Sequence, residues 1–484
     1  MLQKIVINDL FDKEDIEIDF SKRSVIITGD NGNGKTTILN IIYFLLVGDI
    51  SKLIEYKFQS ISLEFESSFK HLSKIEIERK KSDENNNREI VTLKYFSYSS
   101  VLSIQLHCVK LNQEIIIEKI NSLKINNRSI SSAGNFERLL RNNTKKITVG
   151  LLLNFVEEFD FLNKLLKINN SLLYFPTYRR IDIDLESYYS DLYNFSYRKY
   201  LNHDKDDSFK LFQNNDRRVI GMSNNDIEDI LKDYSNEINE ISSKNLDKML
   251  REFTRDTISE MEESKIEINL KNDSQNTDIF SQLTTINNSL GLDMSDETIS
   301  NISRNFEQKI EVLNIFKDSK NRDKLTENKI MDAIFSVPLI NVLQRLQLNY
   351  SDYDKSMEKA LSSYKYISEN IADFSGNKLK FKKTPLNEFE FEKFGVEINS
   401  FSDFSTGEKQ LITFLVYSAI KLPFDTPSLI IIDEPELSLH VNWQNKLLKN
   451  ILKKENIKIL SATHSPYIIN KTEVDSTILR KVEK

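Results

Sequence analysis

The sequence predicts an α/β protein whose sheet-forming parts are separated by a long helical insertion. Three observations predict this class. Near the N-terminus a β-like run, Ser24-Val-Ile-Ile-Thr28, enters a loop holding Gly29, Gly32 and Gly34, and an apolar helical run from Ile38 to Val47 follows. Far downstream, Ser428-Leu-Ile-Ile-Ile432 is an unbroken apolar run ending in Asp433 and Glu434. Such a run reads as a strand buried on both faces of a mainly parallel sheet. Between these segments, apolar and tyrosine residues from Leu339 to Phe374 recur at alternating spacings of four and three, the period of a long helix with one sticky face.

The glycine loop, Gly29-Asp-Asn31-Gly-Asn33-Gly-Lys35-Thr36-Thr37, fits G-x-x-x-x-G-K-[ST] in the strand–loop–helix setting that the motif requires. Its glycines let backbone N–H groups turn inward around a phosphate, and the following helix offers its positive end. Lys35 would reach the β- and γ-phosphates, and the Thr36 hydroxyl would be a Mg²⁺ ligand. Asp433 and Glu434 stand at the carboxyl end of their strand, where open α/β sheets bind ligands. Asp433 would hold Mg²⁺ directly or through water, and Glu434 would orient or polarise the attacking water. The expected cofactors are ATP and Mg²⁺.

A chain of 484 residues exceeds one simple core, so two or three structural units are expected. Charged residues make up 29% and the formal charge is −7, which argues against a uniformly basic nucleic-acid binder but not against local patches. The single cysteine, Cys108, excludes an internal disulfide and a cysteine-based metal site, and fits a reducing cytoplasm. The chain starts on strand-like Lys4-Ile-Val-Ile7, with no leader pattern, and no apolar run approaches the ~18–20 residues that cross a bilayer. A cytoplasmic protein without a membrane partner is expected.

Phe404-Ser405-Thr-Gly407-Glu408-Lys-Gln410 opens a helix through Leu411, Leu415, Ala419 and Leu422, with Ser405 as N-cap and Glu408 closing a capping box. A glycine at a capped helix start shortly before the Asp433 strand resembles the signature motif of ABC-type ATPases. Glu436-Leu-Ser-Leu-His440 stands where a D-loop belongs, and Ser461-Ala-Thr-His464-Ser-Pro466 resembles a switch-histidine loop. With the Walker A and B elements, these motifs resemble the ATPases of the SMC, RecF and OLD kind over residues 1–50 and 380–475. The resemblance implies an ABC-type P-loop head with a mixed sheet and an antiparallel lobe, carrying a coiled-coil-like arm between Walker A and signature. It implies composite sites in a homodimer or higher oligomer, where Ser405, Gly407 and Glu408 of one copy face the γ-phosphate held by another, and where His464 senses that phosphate. His440 is left with either a minor role there or simple packing beside Trp443. His71, His107 and His203 show no ligand-like spacing.

The expected division is residues 1–200 and 376–484 for the two parts of the head, and 201–375 for the arm. Within the first part, Ser60–Phe65, Lys74–Glu78 and Glu89–Phe96 alternate as strands, residues 83–87 read as a hairpin loop, and residues 131–170 read as helical. Leu172-Leu-Tyr-Phe-Pro176-Thr-Tyr-Arg179-Arg180 is a strand ending in a paired arginine; Arg179 is placed near the nucleotide or the opposing subunit, or else on the solvated surface, and no Q-loop glutamine is found. In the arm, Pro338 would begin a helix of ~54 Å through five heptads. Its antiparallel partner would start at Ile227, Leu231 and Tyr234, with a globular helical bundle as the alternative.

The layout resembles stand-alone anti-phage ATPases, PtuA-like in Septu and retron-linked systems or AriA-like in PARIS. That resemblance implies a separate effector nuclease, an HNH enzyme favoured over a Toprim one. The other branch is a RecF-like repair ATPase binding duplex DNA, with Arg79-Lys-Lys81, Arg217-Arg218 and the lysines from Lys378 to Lys383 as candidate contacts.

Overall fold

A computed structural model describes residues 2–129, 171–177, 224–263, 293–317, 326–470 and 476–479, with residues 280, 283, 284 and 287; positions 13, 31, 68–71, 82–87, 112–113, 127, 399 and 423 fall outside. The expected helices of 131–170, the hairpin loop at 83–87, Arg217-Arg218, Asn31 and Arg179 therefore lie outside the described residues. The chain divides into two compact units. The first holds residues 1–231, 366–384 and 389–484, and the second holds 232–365 and 385–388. No helix among the described residues is long and apolar enough to cross a membrane.

The first unit sorts its strands by their hydrophobic period. Strands β1 (Leu2–Leu10), β2 (Glu14–Asp19), β4 (Ser60–Phe65), β5 (Lys74–Lys81), β6 (Arg88–Phe96), β7 (Val101–Leu111), β8 (Glu114–Ile125) and β9 (Arg128–Ser129) form an eight-stranded sheet in the order β2-β1-β4-β5-β6-β7-β8-β9. Every pairing in it is antiparallel. Alternation is clean in β4, where Ile61, Leu63 and Phe65 are buried and their neighbours are not. One wet face and one core face suit an antiparallel sheet.

Strands β3 (Ser24–Ile27), β10 (Leu172–Phe175), β14 (Ser428–Asp433) and β15 (Ile457–Ala462) are buried at every position. With β16 (Ser476–Leu479) they form a second sheet, ordered β10-β14-β15-β3-β16 and wholly parallel. The expected antiparallel lobe forms as its own sheet, while the sheet expected to be mixed is parallel throughout its described strands, because strands buried on both faces and strands wetted on one do not share neighbours. A small sheet of β11 (Leu379–Lys383), β12 (Phe389–Lys393) and β13 (Val396–Ile398) precedes the signature segment.

Helices α1 (Lys35–Val47) and α2 (Ile50–Leu53) follow β3, and α1 packs its buried Ile38, Leu39, Ile41, Ile42 and Leu45 into the core of the first unit. Lys458 of β15 joins the two large sheets. Its buried ammonium donates to the carbonyls of Leu2 (3.0 Å) and Phe20 (2.7 Å) and pairs with Glu66.

Later helices are α3 (Asn224–Glu263), α4 (Asp296–Lys317), α5 (Glu327–Phe335), α6 (Val337–Ala360) and α7 (Ser362–Ser375). In the second unit α3 and α6 run antiparallel. Ser242 Oγ meets Tyr353 Oη at 3.0 Å, Asn245 Nδ2 donates to Ser356 Oγ at 2.7 Å, and Met249 packs on Tyr350. The periodic run from Leu339 to Phe374 is not one helix, as expected, but two meeting at Leu361. The cause is a side chain inserted into the ladder. The Tyr234 hydroxyl donates to Ala360 O (2.7 Å) and accepts from Tyr364 N (3.3 Å), satisfying backbone groups that the break frees. Pro338 sits at the second helical position, after Val337.

Candidate functional site

The parallel sheet gathers the carboxyl ends of β10, β14, β15 and β3 along one edge, so segments distant in sequence become neighbours. The loop after β3 is shaped by left-handed backbone at Gly32 (φ 82°) and Gly34 (φ 74°), with Gly29 at φ 152°. L side chains rarely adopt these values, which is why glycine holds the positions. Gly34 is the N-cap of α1 and supplies no side-chain acceptor, and the first turn of α1 carries no acidic residue. Its orphan N–H groups are left for an anion.

Lys35 is buried to 8% exposure, and its ammonium donates to Gly29 O and Asp30 O, both at 2.9 Å. Burial lowers its pKa, against the raising pull of Glu434, Asp433, Asp30 and Glu436. On α1, Thr36 Oγ1 donates to Asp433 Oδ2 at 2.8 Å, linking residues 397 positions apart. Thr37 and Asn33 lie in the same loop and turn; Asn33 N closes the turn on Asp30 O.

Asp433 ends β14 and is 4% exposed. Glu434 follows with φ 51°, a left-handed conformation costing roughly 1–2 kcal/mol in a non-glycine residue. Its N–H donates to Ala462 O at 2.8 Å, which holds the left-handed backbone against the end of β15.

The next residues form a clamp that the sequence motifs alone do not reveal. Glu436 Oε1 accepts from the backbone N–H groups of His464 (2.7 Å) and Ser465 (3.1 Å), and Oε2 accepts from Thr463 Oγ1 (2.7 Å). Thr463 N donates in turn to Ile27 O at the end of β3. His464 is thereby held by its backbone while its side chain stays exposed. Gln444 of α9 (Val441–Ile451) donates to Glu436 O and Leu439 O and accepts from Ser465 Oγ. His440 is the N-cap of α9, its Nδ1 accepting from Asn442 N at 3.3 Å; Trp443 instead makes an edge contact with Phe374.

Ser405 caps α8 (Thr406–Val416) with both halves of the expected box: Glu408 N donates to Ser405 Oγ, and Ser405 N donates to Glu408 Oε2 at 2.9 Å. Burial opposes ionisation of Glu408, but Lys393 and the Ser405 donors outweigh it and hold its pKa below the usual value. Gly407 is glycine for a reason within its own chain. A Cβ there would stand 2.5 Å from Ser438 O, so the start of α8 and the segment after β14 approach backbone to backbone.

One residue was missed by sequence reading. Thr177, two positions beyond β10, donates its hydroxyl to Asp433 Oδ2 at 2.5 Å, the oxygen that Thr36 also uses. The Pro-Thr dipeptide at a strand end was visible; which carboxylate it would meet was not.

The basic groups considered for DNA are largely committed elsewhere. Arg79 has a side chain 6% exposed, donates to Ile54 O and Tyr56 O, pairs with Glu89 and covers the Phe58 ring. Lys380 and Lys382 both pair with Glu392 across the β11–β12 hairpin.

The sequence matches, over residues 24–470, the family described as "AAA domain, putative AbiEii toxin, Type IV TA system". Among solved structures the chain is similar to the Smc head domain with an extended coiled coil from Pyrococcus furiosus, determined with the C-terminal domain of ScpA. That match has 13% identity and a TM-score of 0.37, and covers 97% of this chain and 91% of that one. It is also similar to the Smc head domain with a coiled coil and joint from Pyrococcus yayanosii, at 13% identity and a TM-score of 0.32, covering 99% and 95%. No curated protein matches.

Proposed function

This chain belongs to the AbiEii-like AAA-domain ATPase family, and from that premise we propose that it binds Mg·ATP at the Lys35 loop and hydrolyses it between two copies of itself. The observation that carries the reading is the hydrogen bond from Thr36 to Asp433, which unites the phosphate loop with the acidic strand end. The oxygen donors Thr36 and Asp433 suit a hard cation such as Mg²⁺. When bound, the cation would neutralise charge on the β- and γ-phosphates.

The rest is work for the protein's own groups. The α1 N-terminus and Lys35 bind the triphosphate, Glu434 takes the proton of the attacking water on its carboxylate, and the Glu436 clamp positions His464. Ser405, Gly407 and Glu408 of a second copy close the phosphate's open side with another helix N-terminus. In this reading the ATPase is the sensor and scaffold of an anti-phage system, restraining a separate nuclease of HNH type. Support for the nuclease rests on the resemblance of layout alone, and stable co-purification with a neighbouring nuclease tests it.

The ATPase reading is tested with two variants. Glu434→Gln is expected to retain ATP binding, lose turnover by at least about 100-fold and accumulate the engaged dimer. Lys35→Ala is expected to lose ATP binding, because the triphosphate's charge is left uncompensated. Ordinary turnover in the first, or unchanged affinity in the second, contradicts the assignment.

A further inference from the structure

Thr177 has no place in the roles assigned so far, yet its hydroxyl reaches the most buried acidic group of the site. Its position is set by anchors that do not involve it. β10 pairs with β14 in the register Phe175 to Ile432, and Tyr174 Oη donates to Asn40 Oδ1 of α1 at 2.6 Å. Phe175 packs edge-on against Phe414, and Pro176 ends the strand by withholding an N–H. The strand would stand without the Thr177 hydroxyl, which nonetheless converges with Thr36 on a single oxygen, Asp433 Oδ2.

Three segments thus deliver three oxygen donors to one point, carrying one negative charge. That is the donor chemistry of a hard divalent cation. Adjacent vertices of an octahedron with ~2.1 Å bonds stand about 3 Å apart, close to the 2.8 and 2.5 Å separations seen here. Each hydroxyl keeps lone pairs after donating its hydrogen, so it can bond the carboxylate and a cation together. Among the described residues no group of three His, Cys, Asp or Glu could hold a metal, and a cation here would complete its shell from hydroxyl, phosphate and water oxygens.

We propose that Thr177 Oγ1 is a direct ligand of the divalent cation that accompanies the nucleotide, beside Thr36 and Asp433. The proposal rests on the Mg·ATP reading above.

The test exchanges the ligand atom for sulfur. Binding of a fluorescent, non-hydrolysable ATP analogue is titrated without metal, with Mg²⁺ and with Cd²⁺, for wild type, Thr177→Cys and Thr177→Ser. Native Cys108 is buried at 1% exposure and adds no accessible thiol. Thr177→Cys is expected to need about 10- to 100-fold more Mg²⁺, to recover in Cd²⁺, which sulfur prefers, and to match wild type without metal. Thr177→Ser is expected to follow wild type throughout, which excludes misfolding at this position. A Thr177→Cys protein with the wild-type ratio of Mg²⁺ to Cd²⁺ response overturns the proposal. Failure of wild type to bind the analogue under any condition removes the underlying nucleotide reading, and this one with it.

Discussion

Several side chains that look like surface charge in the sequence are structural cations inside the fold. Lys454 stands in the run Lys453-Lys-Glu455, yet is 4% exposed. Its Nζ donates to Ser418 O (3.1 Å) and Leu422 O (2.6 Å) and lies 3.8 Å from the centre of the Phe424 ring, fastening the end of the π-helical turn Tyr417–Lys421. Burial pushes its pKa down to about 7 from 10.5. Between those values the unfolded chain holds a proton that the folded one has released, so this lysine makes stability rise with pH from about 7 toward 10.5. Comparing denaturation midpoints of wild type and Lys454→Met across that range checks it: the variant should lack this rising component, and parallel curves would refute the lowered pKa. Charge and hydrogen-bond partners of this kind depend on contacts between segments far apart, so a lone sequence does not disclose them. Arg79 and Lys458 were opaque for the same reason.

At the scale of elements, what was legible is what is local. The glycine loop, the capping box of Ser405 and Glu408, and the apolar run into Asp433 carry their geometry within a few residues, and each forms as read. Strands β7 and β8 were also legible, since Leu102, Ile104, Leu106 and Cys108 alternate as buried positions, but that alternation went unread. The break at Leu361 was not legible, because the heptad pattern continues across it and the interrupting hydroxyl comes from Tyr234. The clamp of Glu436 is likewise a junction between elements. It joins the segment after β14 to the segment after β15, and Gly407 adds α8 through its close approach to Ser438. Glu436→Ala strands the His464 amide and the Thr463 hydroxyl, costing about 1–3 kcal/mol, while Ser465 N keeps Thr463 Oγ1 as acceptor at 2.9 Å. Its expected mark is faster amide hydrogen exchange at His464 with exchange in α1 unchanged. Wild-type protection at that amide would show that the clamp does not hold the loop.

For the whole molecule, the structure brings both ends of the chain together at Lys35, Thr36 and Asp433, and the proposed function has a second copy complete that site. Lys458 and Arg23 show how firmly the ends are joined: Arg23 of the N-terminal segment donates to the carbonyls of Leu452, Lys454 and Ile457. Testing the contribution of the second copy needs a variant that spares the fold. Gly407→Ala does not qualify, because its methyl group would meet Ser438 O in the same chain. Ser405→Asp keeps an N-cap acceptor for Glu408 N but loses the hydroxyl's bond to Glu408 Oε2 at 2.8 Å, so it is used with an unchanged melting midpoint as its control. It sets a negative charge against the phosphate of the partner. The most direct measurement is therefore ATP turnover in a mixture of Lys35→Ala and Ser405→Asp proteins, each inactive alone. Mixed dimers own one intact site, with Lys35 from one copy and Ser405 from the other, so activity is expected to return on mixing and to rise with the mixed-dimer fraction. A mixture as inactive as its components would contradict a site shared between copies.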